Sequence, residues 1–211
     1  PRAKGSMGQV FREGVTYAWH TWQIRMLIVT LIALNLTASA YAVLLPVFAR
    51  DVFAGGATTL GWLWGAAGCG AFASTIVLAN HRQLHAVMRA VVAGVIISAA
   101  SLIAFALAGS LPVALVAMAG LGFGISVCNV GINMLMQGMA PEKLRGRVVS
   151  FFTSARFGFD ALGGLLAGFI AGAIGAGHTL LWEGVVLAAF VVFLLSRSRR
   201  LVNLASESTT G

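Results

Sequence analysis

AVVAGVIISAASLIAFALAGSLPVALVAMAGLGFGISVCNVGINMLMQGMAP, residues 90–141, contains no charged side chain. One helix needs about 20 apolar residues to cross a hydrocarbon core of ~30 Å. The run is far longer than that, so it must hold two crossings. Its one strong breaker cluster is Gly109-Ser110-Leu111-Pro112, which predicts a tight hairpin between them. Outward from this pair, apolar runs and turn signals predict spans over about 24–49, 57–79, 87–108, 112–137, 148–173 and 179–196. Gly175-Ala176-Gly177-His178 marks the last turn. Composition agrees: 59% of residues are hydrophobic and 9% charged, against about 25% charged in a soluble domain. So few charges cannot cover a water-facing surface. The sequence therefore specifies an all-α integral membrane bundle of six transmembrane helices (24–196), preceded by a linker (1–23) and followed by a tail (197–211).

Lys and Arg orient the bundle. Arg2, Lys4, Arg12 and Arg25 precede or open the first span. Arg82 and Arg89 fall between the second and third, Lys143, Arg145 and Arg147 between the fourth and fifth, and Arg197, Arg199 and Arg200 after the sixth. The alternate connections hold only Arg50, beside Asp51. This bias predicts cytoplasmic linker, tail and basic connections, in a multi-pass protein of the inner (plasma) membrane. The same clustering explains the net charge of +8 without a nucleic-acid partner. Trp19, Trp22, Trp62, Trp64 and Trp182 lie near predicted span ends, where amphipathic rings favour the interface. The opening stretch lacks the apolar core of a signal peptide, and the absence of an initiator Met suggests a segment cut from a longer chain. Cys69 and Cys128 lie in apolar runs and read as small core residues.

Polar residues inside the spans are the functional candidates. Ser126, Asn129, Asn133 and Gln137 are spaced three, four and four, so they share one helix face. Facing lipid they would be costly. Either they bond neighbouring helices, or they form the wall of a substrate pathway, which four aligned groups favour. Thr30, Asn35, Thr37, Ser39 and Tyr41 form a second, less aligned set in the first span, structural or pathway-lining; Asn35, Ser39 and Tyr41 are its pathway candidates. Arg156 and Asp160 stand four apart in the fifth span, where they can pair on one face. Asp160 lies roughly 18 Å into that span at 1.5 Å per residue. The two are read either as a coupling site, with the carboxylate tuned by Arg156, or as a self-neutralising ion pair. Gly61 and Gly65, Gly120 and Gly124, and Gly164, Gly168 and Gly172, repeat at intervals of four and are read as close-packing positions. The four histidines gather no carboxylate or thiol, so no metal site, cofactor or catalytic constellation is expected, and the chain is not read as an enzyme.

Several segments resemble a known family. Leu44-Leu45-Pro46-Val47-Phe48-Ala49-Arg50-Asp51-Val52, with Gly55-Gly56-Ala57 and Leu60-Gly61, resembles the end of the seventh helix and the start of the eighth in major facilitator superfamily exporters. The branch is that of enterobactin exporters and macrolide-efflux proteins, the transmembrane secretion effectors. Phe11-Arg12-Glu13-Gly14-Val15-Thr16-Tyr17 is similar to its central cytoplasmic linker. Asn133-Met134-Leu135-Met136-Gln137 and Pro141-Glu142-Lys143-Leu144-Arg145-Gly146-Arg147-Val148 resemble the region around the loop between helices ten and eleven. Leu162-Gly163-Gly164-Leu165-Leu166-Ala167-Gly168 continues the match. The resemblance implies the C-terminal half of a twelve-helix transporter, built as two inverted three-helix repeats, with its first and fourth spans lining the central cavity. Two features depart from the family. Arg156 and Asp160 stand where apolar or small residues are usual, and Asn80-His81-Arg82-Gln83-Leu84-His85 is a poor copy of the Gly-x-x-x-Asp-Arg-x-Gly-Arg gate motif.

In the Pro141–Arg147 segment, Pro141 suits a first helical position and Glu142 favours the positive helix start. Arg145, Gly146 and Arg147 then sit at the cytoplasmic mouth as a gate loop, or as anchors to anionic headgroups. These readings together indicate a secondary active transporter fragment, an exporter of small organic molecules such as siderophores or drugs driven by proton antiport. Its partners would be the lipid bilayer, an N-terminal six-helix half, a small-molecule substrate and protons. The rival is a non-transporting membrane scaffold or assembly subunit. A channel would require rings of charge that the sequence lacks.

Overall fold

The computed structural model describes residues 22–80, 83–140 and 142–207. Most of the expected linker, His81, Arg82, Pro141 and the last four residues lie outside them, as do the side chains of Lys143, Leu144 and residues 197–207. The described residues are helical almost throughout, and six helical segments are long and apolar enough to cross a membrane.

The first crossing, Trp22–Val52, is interrupted. It comprises α1 (Trp22–Ala38), α2 (Ala40–Val47) and a widened, π-helical turn over Phe48–Val52. The break at Ser39 has a local cause. Its hydroxyl donates to the carbonyl of Asn35, and Ala42 N–H reaches back only three residues, to Ser39 O at 3.1 Å. Side-chain bonds of this kind compete with the helix ladder and bend it. One turn on, Pro46 brings no N–H to the carbonyl four residues before it. The wide turn closes the segment, with Phe53 N–H on Phe48 O at 3.0 Å and Gly55 N–H on Ala49 O at 2.9 Å.

The remaining crossings are continuous: α3 (Ala57–Ala79), α4 (Leu84–Ala106), α5 (Leu111–Met139), α6 (Glu142–Ile174) and α7 (Ala176–Glu207). The hairpin inside the charge-free run falls between Ala106 and Leu111. Ser110 is extended (φ −144°, ψ 148°) and Pro112 occupies the first turn of α5, where its missing N–H leaves no helical bond unmade. The last turn is tighter than the Gly175–His178 cluster predicts. Gly175 alone, at φ +86°, reverses the chain, and α7 starts at the next residue. A side chain at that φ would be strained. The expected loop at Glu142–Arg147 is instead the opening of α6.

Lipid is as apolar as leucine, so helices associate in it through close packing and polar contacts rather than expulsion of water. α5 forms the centre of the bundle and packs along both α3 and α4. Glycines permit this closeness. A Cβ on Gly122 would lie 2.1 Å from the carbonyl oxygen of Ala67, and one on Gly70 would lie 1.9 Å from that of Ala119. Neither is picked out by spacing, whereas Gly120 and Gly124, which are, do pack against Ser101 and Ser98 of α4. The other glycines at intervals of four do not meet a neighbouring backbone. Gly61, Gly65, Gly168 and Gly172 face open space, and Gly164 meets only the Val43 side chain. Intervals of four identify a helix face, but not whether a neighbour lies against it. α3 meets α5 through Leu63, Ala67, Gly70 and Ser74, which are buried, and turns Gly61 and Gly65 outward.

The buried apolar residues form two stacked clusters. One gathers Ile24–Leu34 of α1 with Val87–Ala99, Ile132–Met136 and Leu187–Leu194. The other gathers Ala40–Ala49 with Leu102–Phe105, Ala114–Leu121 and Leu180. Asn35 and Ser39 lie at the waist between them. α3 and α6 are the least covered spans, with 28% and 17% of their central windows buried.

Gly122→Ala should lower the thermal midpoint of the purified protein, at a cost of about 1–3 kcal/mol for overpacking. Gly65→Ala should stay within about 0.5 kcal/mol of the parent. Equal midpoints for the two variants would contradict this packing.

Candidate substrate cavity and its polar chain

The α5 stripe divides in two. Ser126, Asn129 and Asn133 line a cavity of about 380 Å³ between α2, α3, α5 and α6. Gln137 does not line it, and instead donates from Nε2 to Asn133 Oδ1 at 2.9 Å. Tyr41, Trp64, Phe152 and Arg156 also line the cavity. The Tyr41 and Trp64 rings are 5.7 Å apart, centroid to centroid.

The first-span set also divides. Thr30 and Thr37 donate to carbonyls of their own helix, Met26 O at 2.8 Å and Ala33 O at 2.7 Å, and are thereby satisfied. Asn35 and Ser39 reach further. Asn35 Nδ2 donates to Leu31 O at 2.8 Å and across to Asn129 Oδ1 at 3.3 Å. Ser39 Oγ lies in hydrogen-bond contact with both the Asn35 carbonyl and Asp160 Oδ1. A continuous polar chain therefore runs Asn129–Asn35–Ser39–Asp160, from the cavity wall through the break in the first crossing to α6. Asn35 and Ser39 stand behind the wall and do not line the cavity.

Ser39 has one proton and two acceptors. With Asp160 ionised, the hydroxyl serves only one of them fully. With Asp160 protonated, its carboxyl can donate to Ser39 and Ser39 can donate to Asn35, so every group is satisfied. The arrangement thus has two hydrogen-bonding states that differ by a proton on Asp160, near the middle of the span Arg145–Ile174.

The expected Arg156–Asp160 ion pair is not formed. Among the described residues the salt bridge present is Arg50–Asp51, at 2.6 Å. Spacing by four brings the two side chains to one side of α6, but Ser39 engages the carboxyl, while the Arg156 guanidinium lies 5.0 Å from the Phe157 ring centroid and borders the cavity.

At the end of α5, Arg145 Nε donates to Gln137 O at 3.1 Å. The arginine therefore caps α5 and ties it to the first turn of α6, as basic side chains at helix C-termini do. Glu142 and Gly146 are exposed and Arg147 is half-buried. Among the described residues no three His, Cys, Asp or Glu side chains gather, and both cysteines are free.

Two features escape the sequence reading. Trp64 reads as an interfacial ring but lines the cavity. Glu183 in α7 has a buried Oε2 with no hydrogen-bond partner. A scan for every acidic residue within the spans would have found it.

A broken first helix, a polar α5 wall and a lateral cavity fit a membrane carrier. The chain belongs to the transmembrane secretion effector family of the major facilitator superfamily, whose sequence profile matches residues 3–210. It is 32% identical over 201 residues to the multidrug efflux pump Tap of Mycolicibacterium fortuitum, an alignment covering 92% of this chain and 48% of that protein. The chain thus spans about half the length of that curated relative.

In a Cys69→Ser background, Asn133→Cys should react with a membrane-impermeant methanethiosulfonate reagent at least tenfold faster than Asn35→Cys. Similar rates, read by mass shift over time, would contradict the placement of the wall.

Proposed function

We propose that the chain forms part of a proton-coupled exporter of small organic molecules that works by alternating access, with Asp160 as the proton-carrying group. The observation behind this reading is the polar chain joining Asp160 to the cavity wall through Ser39. Transport needs an element with two arrangements whose balance both ligands bias. The break between α1 and α2 supplies one. Protonation of Asp160 lets Ser39 bond the Asn35 carbonyl fully and holds the break. Ionisation draws the hydroxyl toward α6 and frees that carbonyl to rejoin the helix ladder. Asn35 passes the change to Asn129 in the cavity. The relative's name, a multidrug efflux pump, supports export as the direction.

The basic residues Arg25, Arg89 and Arg145 sit at span ends of one alternating set. That supports a plasma-membrane orientation with both ends cytoplasmic. By tying α5 to α6, Arg145 would let the two move as a unit when the cytoplasmic side opens. The least covered spans, α3 and α6, offer the faces on which the rest of such a transporter would close. A cavity of this size also argues against a packed scaffold.

Everted membrane vesicles energised by a pH gradient test the reading, with dye accumulation as the signal. Asp160→Asn should reduce gradient-driven accumulation at least tenfold while leaving dye-for-dye exchange across the membrane within about twofold of the parent. Unchanged gradient-driven accumulation in Asp160→Asn would overturn the assignment.

A further inference from the structure

The chemistry of the cavity wall defines a substrate class. We propose that the cavity binds an aromatic organic anion, whose carboxylate, phosphate or phenolate oxygen sits on Arg156 beside the Asn133 amide and whose flat body lies between the Tyr41–Trp64 pair and Phe152. The inference rests on the cavity being a ligand site, and goes beyond the exporter reading in fixing the charge of what is carried.

Three observations carry it. The first is charge. Among the described residues Arg156 is the one charged side chain bordering the cavity, and no Asp or Glu of theirs lines it. An organic cation would meet repulsion from the guanidinium inside the cavity, because Ser39 holds the Asp160 carboxyl behind the wall rather than in it. The second is the direction of the hydrogen-bonding groups. Asn129 Oδ1 already accepts from Asn35, and Asn133 Oδ1 already accepts from Gln137. Each amide oxygen thus has one of its two lone pairs engaged, while both N–H donors of each amide remain for a ligand. With the hydroxyls of Ser126 and Tyr41, the wall offers donors to a ligand rich in acceptors. The third is the orientation of Arg156. Its guanidinium carbon lies 5.0 Å from the Phe157 ring centroid. Among the described residues no ion pair occupies its N–H groups, which can form a bidentate bond to an oxyanion.

Size and shape agree. A cavity of about 380 Å³ falls in the range of small-molecule sites, ~300–1,000 Å³, and holds a fused-ring molecule rather than a peptide. The tilted rings of Tyr41 and Trp64, at 54°, give such a body an edge and a face to rest against.

The test uses the intact protein purified in detergent and two fluorescent probes of similar ring size, carboxyfluorescein (an anion) and ethidium (a cation). Binding is read by probe anisotropy. The parent should bind carboxyfluorescein at least tenfold more tightly than ethidium. Arg156→Gln should weaken carboxyfluorescein at least tenfold and leave ethidium within about twofold, while Arg156→Lys should recover part of the loss. Asn133→Asp, which turns a donor into an acceptor, should weaken the anion alone. Preference of the parent for ethidium, failure of the parent to bind carboxyfluorescein, or an equal loss of both probes in Arg156→Gln would each overturn the proposal. Carboxyfluorescein that binds but is never accumulated by everted vesicles would count against the exporter reading and leave the anion site standing.

Discussion

A polar group held in hydrocarbon has no water to bond, so each one must find its partner within the protein. That constraint organises this bundle. Thr30, Thr37 and Ser98 answer it with a carbonyl of their own helix. Asn35 and Ser39 answer it by reaching to α5 and α6. Ser39 also bonds the Asn35 carbonyl, which breaks the first crossing, and the break separates the two apolar clusters. Below and above the waist the helices are held by close packing, with the Gly70–Ala119 contact as its tightest point. At the waist they are held by hydrogen bonds. Packed clusters resist change because any displacement opens voids. A hydrogen-bonded layer can instead exchange partners when one proton arrives or leaves.

Position divides labour among the polar residues. Arg156 and Asp160 differ by a single turn of α6, yet one borders the cavity and the other bonds to the broken helix. The charge that would receive a substrate is thereby separated from the carboxyl that would receive a proton. The link between them passes through neutral amides and a hydroxyl, which can reorient without moving a charge through lipid.

Much of the fold is legible in the sequence, because hydrocarbon punishes errors of charge. Residues 90–141 had to contain two helices and one hairpin, and the breaker cluster located the hairpin. The polar face that lines the cavity was legible too, because Ser126, Asn129 and Asn133 repeat at helical spacing. What could not be read was partnership across distance. Spacing by four suggested that Arg156 neutralises Asp160, but a hydroxyl 121 residues away in sequence engages the carboxyl. Spacing also suggested that Gly61 and Gly65 meet a neighbour, whereas the neighbour lies against the face of Gly70. Periodicity reports which residues share a face. It carries no signal for what that face meets.

The central proposal is that Asp160 carries the coupled proton and hands it on through its bond to Ser39, and infrared difference spectroscopy of the carboxyl stretch tests it most directly. A band from the protonated Asp160 side chain should appear as pH falls, vanish in Asp160→Asn and shift to higher frequency in Ser39→Ala, where its hydrogen-bond partner is lost. An Asp160 band that does not move in Ser39→Ala, or a carboxylate that stays ionised across the working pH range, would contradict the account.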